Sequence, residues 1–162
     1  MPPLHPAIVH FPIALVTLSF IADLLGSWLN KTTLRITGFW SLAAALIFGI
    51  VAAITGYWDM TRETLGETDH YVDLHMDTGL VLLGAIVVLF AWRWFIYARR
   101  QQVPKRFYLV LAFLVFCLTM FQGWYGGEMV YSQGAGVAAA GKGTETPEAG
   151  KKRLDRITPA EH

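Results

Sequence analysis

Two histidine pairs with the same spacing stand out in this chain: His5 and His10, then His70 and His75. Each pair opens a long apolar stretch. An imidazole at the edge of a membrane is costly to keep without a partner, and polar groups there point to function. Four histidines in two matching pairs suggest a ligand cage, either for haem or for a bare metal ion.

In one continuous α-helix, residues five apart sit about 140° apart around the axis, so one helix does not aim both at one ion. Pro6 biases His5 toward an extended conformation and suits a first helical position itself. Pro12 kinks the first turns or starts the regular helix. The expected arrangement has His5 just outside the helix and His10 facing inward, with His70 in a loop and His75 at the head of its span. On this reading His10 and His75 are the axial ligands of a haem b, one from each half of the chain. His5 and His70 form a second pair or contact the propionates. Asp73 and Asp77 are placed to accept the second ring N–H of a ligating histidine. Helix N-termini at this face favour the propionate carboxylates. The competing chemistry is a Cu or Zn site in which four imidazoles, nearby Asp and Met60 or Met76 make a mixed shell. No CxxC or HExxH accompanies it. The plain alternative is that the histidines are interfacial polar groups, and the chain a cofactor-free accessory subunit of a respiratory or other membrane complex.

The elements that must position these groups are membrane spans. The 162 residues are 54% hydrophobic and 15% charged, too apolar for an ordinary soluble domain. Four stretches, Ala7–Leu29, Ile36–Trp58, Met76–Tyr97 and Phe107–Val130, are each about the length an apolar helix needs to cross the hydrocarbon. Lipid offers backbone amides no partner, so the spans must be helices. Met1–Pro6 carries no Lys or Arg and no small-residue cleavage site follows, so the first stretch reads as a span, not a leader. Cys117, alone in the fourth span, forms no internal disulfide and reads as a small buried hydrophobe. The net charge of +1 gives no sign of nucleic-acid binding.

Lys31 and Arg35 follow the first span; Arg99, Arg100, Lys105 and Arg106 follow the third. The loop between spans two and three is acidic, with Asp59, Glu63, Glu67, Asp69 and Asp73. The positive-inside rule places the two basic loops in the cytoplasm, with both termini and all four histidines on the other side, the periplasm of a bacterial inner-membrane protein. Arg93, between Trp92 and Trp94, is expected to snorkel to the cytoplasmic headgroups. Asp23, well inside span one, must face the bundle interior. It is either part of a proton path or hydrogen-bonded to Thr17, Ser41 or a backbone carbonyl.

The two halves resemble each other. Each runs from a histidine pair through a span, a basic loop and a span to a glycine-aromatic ending, with 51 residues from His5 to Gly56 and 53 from His70 to Gly123. This predicts a duplicated hairpin, residues 5–60 and 70–130, with the copies parallel about an axis normal to the membrane. The glycines Gly38, Gly49, Gly56, Gly79, Gly84 and Gly123 leave room for a flat macrocycle or for close helix packing, as does Ala45-x3-Gly49-x3-Ala53. Residues 134–162 are rich in Gly, Ala, Lys and Glu and are expected to be a flexible polar tail outside the 1–133 membrane domain.

The run Leu4-His5-Pro6-Ala7-Ile8-Val9-His10-Phe11-Pro12-Ile13-Ala14-Leu15, with Asp23 beyond it, resembles the opening of the small membrane proteins catalogued as domain-of-unknown-function 2231. Thr55-Gly56 with Asp59, and Gly127-Glu128-Met129-Val130-Tyr131 followed by Gly134-Ala135-Gly136-Val137, are similar to later parts of that family. The resemblance covers about residues 4–137 and implies a four-helix bacterial inner-membrane protein with His5, His10 and Asp23 as motif residues. Some relatives are joined to Rieske-type or cytochrome c-type domains, which implies redox company.

The sequence therefore predicts an all-α, polytopic membrane protein: a four-helix bundle of two pseudo-twofold-related hairpins. It is expected to hold haem b near the periplasmic face and to carry electrons rather than to act as a stand-alone enzyme. Its expected partners are the lipid bilayer and a separate redox protein or quinone, such as a c-type cytochrome or a Rieske protein, with homodimerisation or membership of a larger complex also open.

Overall fold

The structure, a computed structural model, describes residues 4–62, 69–98 and 106–133; the expected tail lies outside them. Among these residues there are five helices, α1 (His5–Ile8), α2 (His10–Trp28), α3 (Thr32–Arg62), α4 (Asp69–Ala98) and α5 (Arg106–Gln133). The chain is all-α, and α1 with α2, α3, α4 and α5 supply four apolar segments long enough to cross a membrane.

Local chemistry sets the breaks. Pro12 has no N–H to give to the Ile8 carbonyl, and the helix is interrupted at Val9, between α1 and α2. The turn from α2 to α3 is closed by Asn30 at φ 53°, a left-handed conformation that Asn tolerates better than most residues. Lys31 N–H then reaches back to the Gly26 carbonyl at 3.0 Å, the bond that ends a helix on a left-handed residue. Arg35 straps this turn, donating from Nε to Gly26 O at 3.0 Å and from Nη2 to Asn30 Oδ1 at 2.6 Å. Arg35, expected in a cytoplasmic loop, is thus a buried member of α3.

Neighbouring helices pack in the ring α2–α3–α4–α5–α2. Among the described residues α2 and α4 have no close backbone approach, nor do α3 and α5, so each faces its counterpart across a diagonal. The core along the middle is apolar, built from Val16, Leu42, Ala45, Leu82, Ile86, Leu89, Ala112 and Val115. Outside, Trp40, Ile47, Ile54, Val81, Val88, Phe95 and Leu114 are exposed. A soluble protein does not present such a continuous apolar surface; lipid covers it. Cys117 belongs to this outer surface and is not the buried hydrophobe expected from its place in the span.

Buried positions recur 70 residues apart. Val16 and Ile86, Ser19 and Leu89, and Asp23 and Arg93 are buried on α2 and α4; Leu42 and Ala112, and Ala45 and Val115, are buried on α3 and α5. The histidine spacing suggested a 65-residue register, His5 with His70 and His10 with His75. The burial pattern instead sets His5 level with His75.

Candidate functional site

Polar groups collect at the two ends of this apolar column. Eighteen residues of α4 separate His75 from Arg93, roughly 27 Å of helix.

At the first end, His5 and His75 face each other with ring centres 6.3 Å apart and planes at 85°. His5 is carried by α1, which packs against α3 and α2, and His75 by α4. His10, the ligand expected from the first half, is exposed on α2. His70 is exposed as well, edge-on to Tyr71 at 6.1 Å; it lies in α4, not in a loop. The pair this bundle forms is therefore His5 with His75, and the second pair expected from His5 and His70 does not converge.

Each ring is held by the next helix of its own half. The His5 Nδ1–H donates to the Ala52 carbonyl at 2.7 Å; a carbonyl only accepts, so the proton sits on Nδ1. The residue 47 beyond His75 is Gln122, whose Nε2 lies 3.1 Å from His75 Nδ1 and donates to the His75 carbonyl at 2.7 Å. Each ring also lies against a glycine. A Cβ at Gly56 would come within 2.9 Å of His5 Nδ1, and one at Gly126 within 3.0 Å of His75 Cε1. The first contact leaves no room for a methyl group without a shift of the ring, and the second is tight. The interval is 51 residues in each half, counted from His5 and from His75. Tyr125 stacks on His75, centres 6.0 Å apart and planes at 14°. Asp59, expected as a solvated loop charge, lies in α3, and its Oδ2 accepts the backbone N–H of His5 at 2.9 Å. Asp73 and Asp77, expected to orient the histidines, are exposed; the Ala52 carbonyl and Gln122 occupy that role.

At the other end Asp23 and Arg93 form a buried ion pair, 0% and 2% exposed. Arg93 donates from Nη2 to Oδ1 at 3.0 Å and from Nε to Oδ2 at 3.3 Å, a two-pronged geometry that guanidinium provides and ammonium does not. The Tyr108 hydroxyl donates to Asp23 Oδ2 at 3.0 Å, and Arg93 Nη2 also reaches the Arg35 carbonyl at 2.8 Å. Arg93 therefore does not snorkel outward. The partners expected for Asp23, Thr17 and Ser41, are not the ones it takes: Thr17 donates to Ile13 O. Gly38 gives the carboxylate its room, since a Cβ there would lie 2.6 Å from Oδ1. Sequence reading missed Arg93, Tyr108 and Gln122 as site residues. A signal for the first was present: two opposite charges inside apolar spans have to find each other.

Among the described residues no three His, Cys, Asp or Glu side chains gather to hold a metal ion, so four imidazoles in one cage are not formed. Two facing imidazoles can still serve as trans ligands to a single centre, or pass a proton between them.

Fold and surface define a polytopic four-helix membrane protein. More narrowly, the chain belongs to the family described as predicted membrane protein (DUF2231), whose model matches residues 1–139. No curated protein and no solved structure matches it significantly.

Proposed function

We propose that this protein is a membrane electron carrier that would hold haem b near the periplasmic face, between His5 and His75. One observation carries the reading: imidazoles from the two halves of the chain meet with ring centres 6.3 Å apart. Two imidazoles that each bring a nitrogen to about 2 Å from one shared ion have ring centres about 6 Å apart. The donor set supports a prosthetic group over a bare Cu or Zn ion. A bare ion wants three or four protein ligands, whereas haem supplies its own equatorial nitrogens and asks the chain for two.

Bound haem would take up and release one electron. The chain's part is to hold the rings in place from Ala52 and Gln122, to keep glycines at 56 and 126 so that the rings stay where they are, and to surround the site with a low-dielectric apolar shell that tunes potential. Asp23 and Arg93 act as the strut at the far end. Among the described residues the core cluster between the two ends is built from apolar side chains, which favours an electron-carrying role over a proton path. Charge distribution supports the bacterial inner membrane with both termini periplasmic; the electron partners would be a quinol or membrane complex and a periplasmic acceptor. The recurrence of buried positions at 70 residues supports two duplicated hairpins about an axis along the membrane normal.

The visible spectrum of detergent-purified protein tests this. The wild type is expected to show sharp bands that change with dithionite. His5→Ala and His75→Ala lose them; His10→Ala and His70→Ala keep them. A wild-type protein that stays colourless after haem-replete expression ends the proposal.

A further inference from the structure

The two imidazoles carry their protons on opposite nitrogens. For His5 the argument is direct: Nδ1 faces the Ala52 carbonyl at 2.7 Å, so Nδ1 holds the proton and Nε2 holds a free lone pair. For His75 it runs through Gln122. The Gln122 side-chain nitrogen lies 2.7 Å from the His75 carbonyl, which only accepts, so the amide group must point its N–H2 there. Its oxygen then lies 2.8 Å from the Thr78 hydroxyl, whose one proton also faces the Leu74 and His75 carbonyls at 2.7 and 3.1 Å. The same N–H2 faces His75 Nδ1 at 3.1 Å. A donor facing Nδ1 requires Nδ1 to accept, and the proton of neutral His75 is left on Nε2.

This matters for ligation. A histidine binds iron through a bare nitrogen, and a hydrogen bond that takes the proton of the other nitrogen strengthens it. His5 has that arrangement already: Nε2 is bare and Nδ1–H is accepted by a carbonyl. His75 has the reverse arrangement. To ligate through Nε2 it must move its proton to Nδ1, where it meets an N–H2, and the amide cannot turn its oxygen there without setting it against the His75 carbonyl.

We infer that the two imidazoles are unequal toward a bound haem: His5 would hold it, while His75, disarmed by Gln122, would give way to a small diatomic ligand. The inference rests on the haem reading above and adds a ligand class to it. Its structural basis is the difference between equivalent positions 52 and 122. In the first half residue 52 is alanine, and the ring reaches its backbone carbonyl. In the second half the glutamine side chain intercepts the ring before it can do the same. Gln122→Ala would make the second half copy the first.

The experiment has two arms on the full-length chain. In the first, 15N-histidine NMR of the protein purified without haem locates the ring protons. The expected result is Nδ1–H on His5 and Nε2–H on His75, with His75 changing to Nδ1–H in Gln122→Ala. In the second, the haem-loaded, dithionite-reduced protein is titrated with carbon monoxide. Wild type is expected to show the spectral shift of bound carbon monoxide, and Gln122→Ala to bind it about tenfold or more weakly. Nδ1–H on wild-type His75, or a reduced wild-type haem protein inert to carbon monoxide, overturns the inference and leaves the haem site standing. A chain that takes up no haem overturns the haem site and the ligand exchange with it, whereas the NMR arm still decides where the protons lie.

Discussion

Asp23 and Arg93, 70 residues apart in the chain, meet at 3.0 Å across the diagonal of the bundle. They sit on α2 and α4, which share no close backbone contact among the described residues, so the ion pair joins two helices that otherwise meet only through side chains of the core. Removing one partner leaves a buried charge alone. Asp23→Ala or Arg93→Ala is expected to cost about 3–5 kcal/mol, read as a lowered melting temperature in detergent. Replacing both by apolar residues of similar volume, Asp23→Leu with Arg93→Met, is expected to recover most of that loss. A double variant as unstable as the single ones would mean the pair does more than neutralise itself.

Tyr108 is the third member of that cluster. Its hydroxyl donates to Asp23 Oδ2 at 3.0 Å, a hydrogen bond to a charged acceptor. Tyr108→Phe is expected to lower stability by about 1.5–3 kcal/mol in the same melting assay, with no change in the spectrum of the haem-loaded protein at the opposite end.

Glycines divide by what stands in front of them. A Cβ at Gly38 would lie 2.6 Å from Asp23 Oδ1, while one at Gly84 meets nothing within 4 Å. Gly38→Ala is therefore expected to destabilise by about 1–3 kcal/mol through overpacking. Gly84→Ala is expected to be neutral or to stabilise by up to about 1 kcal/mol through helix propensity. Melting both variants side by side checks the difference in sign.

Gly56→Ala and Gly126→Ala press on the imidazoles rather than on the core. The new methyl groups would lie 2.9 Å from His5 Nδ1 and 3.0 Å from His75 Cε1. Each variant is expected to fold and insert but to retain less haem than wild type at equal protein concentration, measured by the ratio of Soret to protein absorbance. Full haem retention in both would show that ring position is not what holds the cofactor.

Topology is open to thiol labelling. With Cys117→Ala as background, Thr144→Cys and Asp73→Cys are expected to react with a membrane-impermeant maleimide in intact spheroplasts, and Lys31→Cys only after permeabilisation. The reverse pattern would invert the orientation and place the histidine end in the cytoplasm.

Much of the architecture was legible in the residues. Four spans follow from the length and apolarity of their segments, because lipid leaves the backbone no alternative to helix. His5 and His75 were in view as candidates from the start, as was Asp23. The pairing was misread because like residues were matched with like: His5 with His70 and His10 with His75, 65 apart. At the offset of 70 where burial recurs, the residues are chemically unlike, Asp23 level with Arg93, Gly38 with Tyr108 and Ala52 with Gln122, so residue identity gives no sign of it. The interval of 51 residues from His5 to Gly56 and from His75 to Gly126 was the one clue printed in the chain.

By itself, then, the order of residues determined that this protein lives in lipid, how many times it crosses, and which end carries imidazoles, because those depend on segment length, apolarity and charge, which are local and additive. Tertiary structure alone decided which histidines meet, that Arg93 turns inward to Asp23, and that Gln122 rather than an aspartate controls His75. Those outcomes depend on the rotation of each helix about its axis. Packing against the neighbouring helices sets that rotation, and no single segment encodes it.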